Sequence, residues 1–280
     1  MTDPALDMVD QLGASASGAA FEDVQNTKAV ILAGGRGTRL APFTSVLPKP
    51  LMPVGNRAIL EIVVRRLADC GITDVTFCVG YLSHLIRAVF DGGAANGNHY
   101  GPTSIKYVQE QEAMGTAAPL ALVDGLNDTF IVMNGDVLTT LDYRSLLGHH
   151  RSAGNVLTIA THLRTTKIDY GILHVDAGSR IQAFEEKPEI LSSVSMGIYA
   201  MEPVILEYLP PGQAFDFPDL VRALLDDDQP VGAFLYDGLW FDIGRHEEYE
   251  RAVTAWEDLE RDEARAAQSD PDRAPVRAVE

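Results

Sequence analysis

Cysteine is almost missing from this chain. Cys70 and Cys78 are the only two, and their spacing fits neither a zinc motif nor a disulfide framework. Two core thiols in a reducing compartment are the expectation. No run of apolar residues approaches the length of a membrane span. Basic residues are missing from the start, where Asp3, Asp7 and Asp10 stand in place of the positive charge a secretory signal carries. A cytoplasmic setting is the default that follows. Positive charge is scarce throughout, with 22 basic against 40 acidic residues and a formal net charge of −18. Such a surface repels nucleic acid and anionic membranes, so neither is expected as a partner. The seven histidines, His149 and His150 included, show no metal-ligand spacing. No internal repeat recurs, and no hexapeptide period of the kind that builds a β-helix, so no C-terminal β-helix is expected.

What is present is a chain of 280 residues, 46% hydrophobic, able to bury a substantial core. From Lys28 the pattern alternates. "KAVILA", "DVTFCV", "SIKYVQ", "TFIVMN" and "VLTIAT" read as buried strands. "AILEIVVRRLADCG" and "YLSHLIRAVFDGG" have apolar residues at helical spacing, and 116–123 and 142–151 are further helix candidates. This alternation predicts an α/β fold: a Rossmann-like, mostly parallel or mixed sheet with helices on both faces. After Thr161 the strands shorten. "YGILHVD", "RIQAFEEKP" and "SVSMGIYAM" suggest a small antiparallel patch, followed by helices in "FPDLVRALLDDD" and from near Arg245, with the strand "VGAFLYDG" between them. Residues 1–27, rich in Ala, Ser, Gly and Asp, read as a mobile tail in which Leu6, Met8, Val9 and Leu12 could dock as a short helix. The stretch from about Arg261 reads as a frayed tail.

One segment resists both ladders. In "AVILAGGRGTRLAPFTSVLPKPLMPVG", from Ala29 to Gly55, Pro42, Pro48, Pro50 and Pro53 lack the amide hydrogens that helices and sheets use. Arg36, Arg39 and Lys49 make it the one obvious basic concentration in an acidic protein. A Walker loop would need Lys-Ser/Thr after its last glycine, and a dinucleotide fingerprint a third glycine where Leu40 stands. What fits is a strand-end glycine turn whose amides face phosphate oxygens, flanked by cations on a stiff, proline-framed loop.

That segment resembles the signature of the sugar-1-phosphate nucleotidylyltransferases, most nearly the GDP-mannose pyrophosphorylase branch. "YVQEQEAMGTAAPL", "FIVMNGDVL", "YGILHVD", "IQAFEEKP", "MGIYAME", "FDFPDL" and "WFDIGRHEEY" follow in the family's order, so the likeness runs from Lys28 to about Val253. It implies a nucleotidyltransferase domain over 28–254 and a helical or disordered C-terminal tail over 255–280. It also implies the reaction of a nucleoside triphosphate with a sugar 1-phosphate, releasing pyrophosphate. The nucleophile is already anionic, so no general base is needed, and catalysis rests on positioning and electrostatics.

The resemblance assigns roles residue by residue. Ala33, Gly34, Gly35, Gly37 and Thr38 of the turn, with Glu110, Gly115 and Thr116, are implied to bind the nucleotide. Arg39 is implied to clamp the pyrophosphate and Lys49 to approach the α-phosphate. Asp136 and Asp242 are implied as a metal pair for Mg²⁺, which favours one or two carboxylates with phosphate oxygens and water. As plain structure, Asp136 could cap the following turn and Asp242 the helix near Arg245. Arg39, Lys49 and Asp136 form the implied catalytic set. Gly171, Glu186, Lys187 and Ser195 are implied to hold the sugar phosphate; Gly171 as plain structure is a strand bulge. The resemblance leaves a homodimer or homotetramer open.

A carboxylate offers only acceptors, and guanine alone presents two adjacent donors, so Glu110 favours GTP. Thymidylyl, adenylyl and uridylyl transfer are the alternatives, and a one-residue slip would put Gln109 or Gln111 at the base instead. Mannose 1-phosphate is the default acceptor. Arg57-Ala58 stand where the family commonly has Lys-Pro, and Ser195 where it often has Asn, so a heptose 1-phosphate or cyclitol phosphate also fits. Two rival readings are a non-catalytic homologue that only binds nucleotide sugar, and a glycosyltransferase. The second would carry Asp-x-Asp where Asn134-Gly135-Asp136 stand.

Overall fold

The computed structural model describes residue 24 and residues 26–91, 103–110 and 112–269, with side chains to 266. The N-terminal tail, apart from Val24, Asn26 and Thr27, and Gln111 lie outside the described residues.

In strand β1 (Lys28–Ala33), Ala29, Val30 and Ile31 are completely buried. Side chains alternate across a strand, so such a run needs cover on both faces. It finds it. Ala29, Ile31 and Ala33 belong to one core with α1 (Ile59–Asp69), whereas Val30 belongs to a second core with Leu120 and α4 (Phe217–Asp226). A short hairpin, β2 (Pro53–Val54) and β3 (Arg57–Ala58), leads into α1.

β4 (Asp74–Val79), α2 (Ser83–Asp91), β5 (Ser104–Gln109) and β6 (Phe130–Asn134) continue the alternation. β1 pairs in parallel with β4 and β6, and β4 with β5. β7 (Val137–Thr139) and α3 (Tyr143–Ala153) precede the long strand β8 (Leu157–Lys167). The hairpin β9 (Ile172–Val175) and β10 (Ile181–Glu185), β11 (Glu189–Met201), β12 (Val231–Leu235), β13 (Trp240–Asp242) and α5 (His246–Ser269) complete the order. The main sheet has seven strands, ordered β12-β8-β11-β6-β1-β4-β5. The expected mixed, mostly parallel α/β fold is present, and among the described residues none forms a β-helix.

Three elements depart from the sequence reading. β9 and β10 do make an antiparallel patch, but "SVSMGIYAM" does not close it. As β11 it runs antiparallel into the main sheet between β6 and β8. Its second half, with Ile198, Ala200 and Met201 fully buried, is too apolar for a half-exposed patch. The candidate helix at 116–123 is a 3-10 turn over Ala118–Leu122. Finally, α5 runs on through the position near Arg261 expected to fray. Trp256 is only 3% exposed in the core, Arg66 lies over its ring at 5.9 Å, and Arg57 meets Glu260 at 2.9 Å. These contacts hold the helix against the domain.

Candidate active site

The carboxyl ends of β1, β4, β5 and β6 share one edge of the sheet, where parallel α/β folds place their ligands. There the chain builds a cleft of about 420 Å³. The glycine turn leaves β1 and is organised as three 3-10 turns, Thr38–Leu40, Phe43–Ser45 and Lys49–Leu51. Leu40, fully buried, pins it to the core. Gly37 adopts φ +60°, the left-handed region that favours glycine, and its carbonyl accepts a 2.9 Å hydrogen bond from Thr44 Oγ1. A Cβ at Gly37 would lie 3.1 Å from the Cβ of Lys49, so the lysine stem packs beneath the turn. Lys49 is 8% exposed, and its ammonium pairs with the Asp136 carboxylate. An ion pair this sheltered orders both side chains.

Asp136 follows β6 through Asn134 and Gly135. A two-stranded ribbon then brings in the distant Asp242: β13 pairs antiparallel with β7, Asp242 stands opposite Val137, and the Ile243 amide donates to the Asp136 carbonyl at 3.3 Å. The carboxylate of Asp242 opens onto a second cleft, of about 270 Å³. Partial burial and the neighbouring Asp136 push its carboxyl above the usual range, against the pull of Lys49 and Arg39. The Arg39 guanidinium lies beside Gly244, its Nη1 3.7 Å from where a Cβ would stand. Neither aspartate caps a helix. Two crowded carboxylates whose charges oppose one another are a donor set that fits Mg²⁺, which asks for one or two protein oxygens and takes the rest from phosphate and water. Among the described residues no group of three or more His, Cys, Asp or Glu could hold a metal by itself.

The far wall is made after β5. The Glu110 carboxylate occupies the space that a Cβ on Gly34 would fill, and it accepts a hydrogen bond from the Met114 amide. Partial burial pushes its carboxyl up from the ordinary value. Gly115, at φ +82°, sits where a Cβ would be 2.7 Å from the Phe215 carbonyl. Asp216 fastens the loop: its Oδ1 accepts from the Thr116 amide at 2.8 Å and from Thr116 Oγ1 at 2.9 Å, while the Phe217 amide donates to Thr116 Oγ1 at 3.0 Å.

Of the residues singled out from the sequence, Ala33, Gly34, Gly35, Gly37, Arg39, Lys49, Glu110, Gly115, Thr116 and Asp136 all line the first cleft. Thr38 does not; it starts the 3-10 turn behind it. Gly171, Glu186, Lys187 and Ser195 line neither cleft. Gly171 gives room to the Phe184 ring and lies near Glu186 Oε2, at 2.6 and 3.2 Å from a Cβ position. Lys187 and Glu186 are 65% and 62% exposed, their charged groups 3.9 Å apart. Ser195 Oγ accepts from the Gly197 amide at 3.3 Å, bracing the irregularity in the β8–β11 pairing. That bulge brings Gly197 against Asn134, a cleft residue the sequence reading left without a role. Asp216 was missed as well. Its only signal was its place in "FDFPDL" ahead of a helix, and its side chain fastens the Gly115–Thr116 loop instead of capping that helix.

The pattern of the family described as "Nucleotidyl transferase" matches residues 28–258. A UTP–glucose-1-phosphate uridylyltransferase from Synechocystis sp. is 32% identical over 81% of this chain. A mannose-1-phosphate guanylyltransferase from Mycobacterium tuberculosis is 33% identical over 80% of it. The chain spans 62% of the length of each of these relatives. Among solved structures, a putative glucose-1-phosphate thymidylyltransferase from Bacillus anthracis, in complex with a sucrose, superimposes with a TM-score of 0.62 at 26% identity, over 82% of this chain and 94% of that one. HddC from Yersinia pseudotuberculosis, complexed with GMP-PN, has the same fold at 24% identity, with a TM-score of 0.62 over 82% of this chain and 99% of its own. No helix among the described residues is long and apolar enough to cross a membrane.

Proposed function

The chain belongs to the nucleotidyl transferase family, and from that premise we propose that it transfers a nucleoside monophosphate to a sugar 1-phosphate, with GTP the favoured donor. A phosphate oxygen of the sugar phosphate forms a bond to the α-phosphorus, the bond to the β-bridging oxygen breaks, and pyrophosphate leaves with the electron pair. No proton has to move first. The chain's task is to hold several anions together and to meet the charge that gathers on the leaving group.

The glycine turn directs amides at the triphosphate, Arg39 takes the leaving pyrophosphate, and Lys49 meets the α-phosphate from a site its packing fixes in advance. Asp136 and Asp242 would hold Mg²⁺, which supplies charge neutralisation to the phosphates when bound. Glu110 accepts from the guanine N1–H and N2 amino group, and Gly115 and Thr116 close over the base. One observation carries the reading: Arg39, Lys49, Asp136 and Asp242, from three separate stretches of chain, meet at the carboxyl edge of the sheet. The glycosyltransferase alternative leaves that basic turn without a purpose.

The test is a matrix of GTP, UTP, dTTP and ATP against mannose, glucose and heptose 1-phosphates, with Mg²⁺, scored by pyrophosphate release. Highest turnover with GTP is expected. Turnover with another nucleotide alone would remove the base assignment; release with none would favour the non-catalytic homologue.

A further inference from the structure

The hairpin of β9 and β10 turns its apolar side to water. Leu173 stands opposite Phe184 and Val175 opposite Ile181, so the four share one face of the two-stranded sheet. They are 51, 59, 54 and 63% exposed, and Tyr170, just before β9, is 79% exposed. The opposite face carries a polar pair, His174 Nε2 lying 3.1 Å from Glu185 Oε1. Together the four apolar side chains leave roughly 400 Å² open, a patch of the size that marks a contact surface. The support around them is thin. β8 loses its β12 neighbour after Thr161, and β6 meets β11 only from Ile198 on. Residues 162–167 and 189–194 therefore pair only with each other among the described strands. The hairpin is a separate two-stranded sheet. Such a ribbon is marginally stable by itself in water, and an uncovered apolar face makes it more so.

Charge selects what covers this face. Residues 162–195 hold four basic and five acidic side chains, a net charge of −1, whereas the whole chain carries −18. Two copies of so acidic a protein repel each other over most of their surfaces, and this segment is where the repulsion is least. An anionic membrane is repelled by the rest of the molecule, and a basic partner is drawn to the acidic faces instead. The rim of the hairpin carries both signs, as a surface that has to match itself requires: Arg180 precedes β10, and Glu186 and Lys187 follow it. Area agrees. A standard interface takes about 800 Å² from each partner, so the apolar patch supplies its centre and the charged rim the remainder.

We propose that this face binds the same face of a second copy across a two-fold axis, forming a homodimer. Two sheet faces packed in this way stand about 10 Å apart and remove the four apolar side chains of each copy from water. Because the contact is isologous, each substituted residue enters it twice. The association does not depend on the reaction assigned to the cleft, so either can fail without the other.

Sedimentation velocity and native mass spectrometry of the full chain, from about 1 to 100 μM, provide the test. The wild type should be a dimer at the upper end of that range. V175K/I181K and V175E/I181E each bring like charges into the face, and each should raise the dimer dissociation constant at least about a hundredfold. Both positions are more than half exposed, so circular dichroism and the unfolding midpoint should stay near those of the wild type. Mixing the two variants should restore a one-to-one heterodimer, which a misfolded hairpin could not do. L225K, at a position 55% exposed on α4, should leave the wild-type dimer unchanged. A wild type that is monomeric at about 100 μM overturns the proposal and leaves the chain's own first residues, or an unrelated protein, as the occupant. A dimer that both variants retain overturns it too, because the contact then lies elsewhere, and so does a mixture of the variants that stays monomeric.

Discussion

Replacing Glu110 by Gln tests the reading of the base at a single pair of atoms. The side chain keeps its length, and an amide oxygen can still accept from the Met114 amide, so the wall of the cleft should stand. What changes is the edge presented to the base. A carboxylate offers two acceptors to guanine's two adjacent donors, whereas the amide sets an N–H against one of them. Hydrogen bonds to a charged group contribute about 1.5–3 kcal/mol, and each 1.4 kcal/mol is a factor of ten. The kcat/KM for GTP should therefore fall about 10- to 100-fold, with UTP and dTTP gaining relative to it. Because partial burial raises the Glu110 carboxyl, its protonated form appears at a higher pH than an ordinary glutamate's, and only the ionised form is a double acceptor. The wild type's preference for GTP should thus weaken as pH falls toward that range, and the variant's profile should not follow it. Pyrophosphate release is measured over four nucleotides at fixed sugar phosphate, at two pH values. An unchanged nucleotide profile in the variant refutes the argument.

Three further outcomes follow from the same geometry. D136N and D242N should each lose at least about a hundredfold in kcat. They should differ in thermal unfolding, because D242N removes a like charge beside Asp136, whereas D136N strands the 8% exposed Lys49 at a cost of about 1–3 kcal/mol. Near-normal turnover in both removes the metal pair. G115A forces a side chain into φ +82° and within 2.7 Å of the Phe215 carbonyl. The handedness alone costs about 1–2 kcal/mol, so the KM for the nucleotide should rise while α4 stays folded by circular dichroism; an unaltered KM contradicts the loop's role. His150 is fully buried, with Nδ1 2.8 Å from Thr158 Oγ1 and Nε2 3.1 Å from Glu202. Burial holds its pKa below the ordinary imidazole value of about 6.5, although Glu202 pulls upward. The unfolded chain therefore takes up the proton first as pH falls. The stability due to neutral His150 is complete above about 6.5 and is lost as pH drops from there toward the folded value. The midpoint of thermal unfolding should decline over that interval, and H150Q should flatten the decline; an identical slope would count against it.

The sequence by itself determined a good part of this protein. The run "AVILA" is apolar at every position and "DVTFCV" at all but Asp74 and Thr76, and only a strand covered on both faces can bury them, so the parallel core was legible. The proline-framed loop was legible for the opposite reason: its prolines lack the amide hydrogens both ladders use, and its arginines and lysine stand out in an acidic chain. Tertiary structure alone decided three things. It drove β11 into the middle of the sheet, a pairing between distant segments on which local periodicity is silent. It built the ribbon of β7 and β13, each three residues long and too short to show a period, and so set Asp242 beside Asp136. It turned Arg164 and Arg251, from a strand and a helix, toward one space. Local chemistry writes the elements into the chain, but which side chains from distant elements meet is settled only when the cores close and fix each element's register.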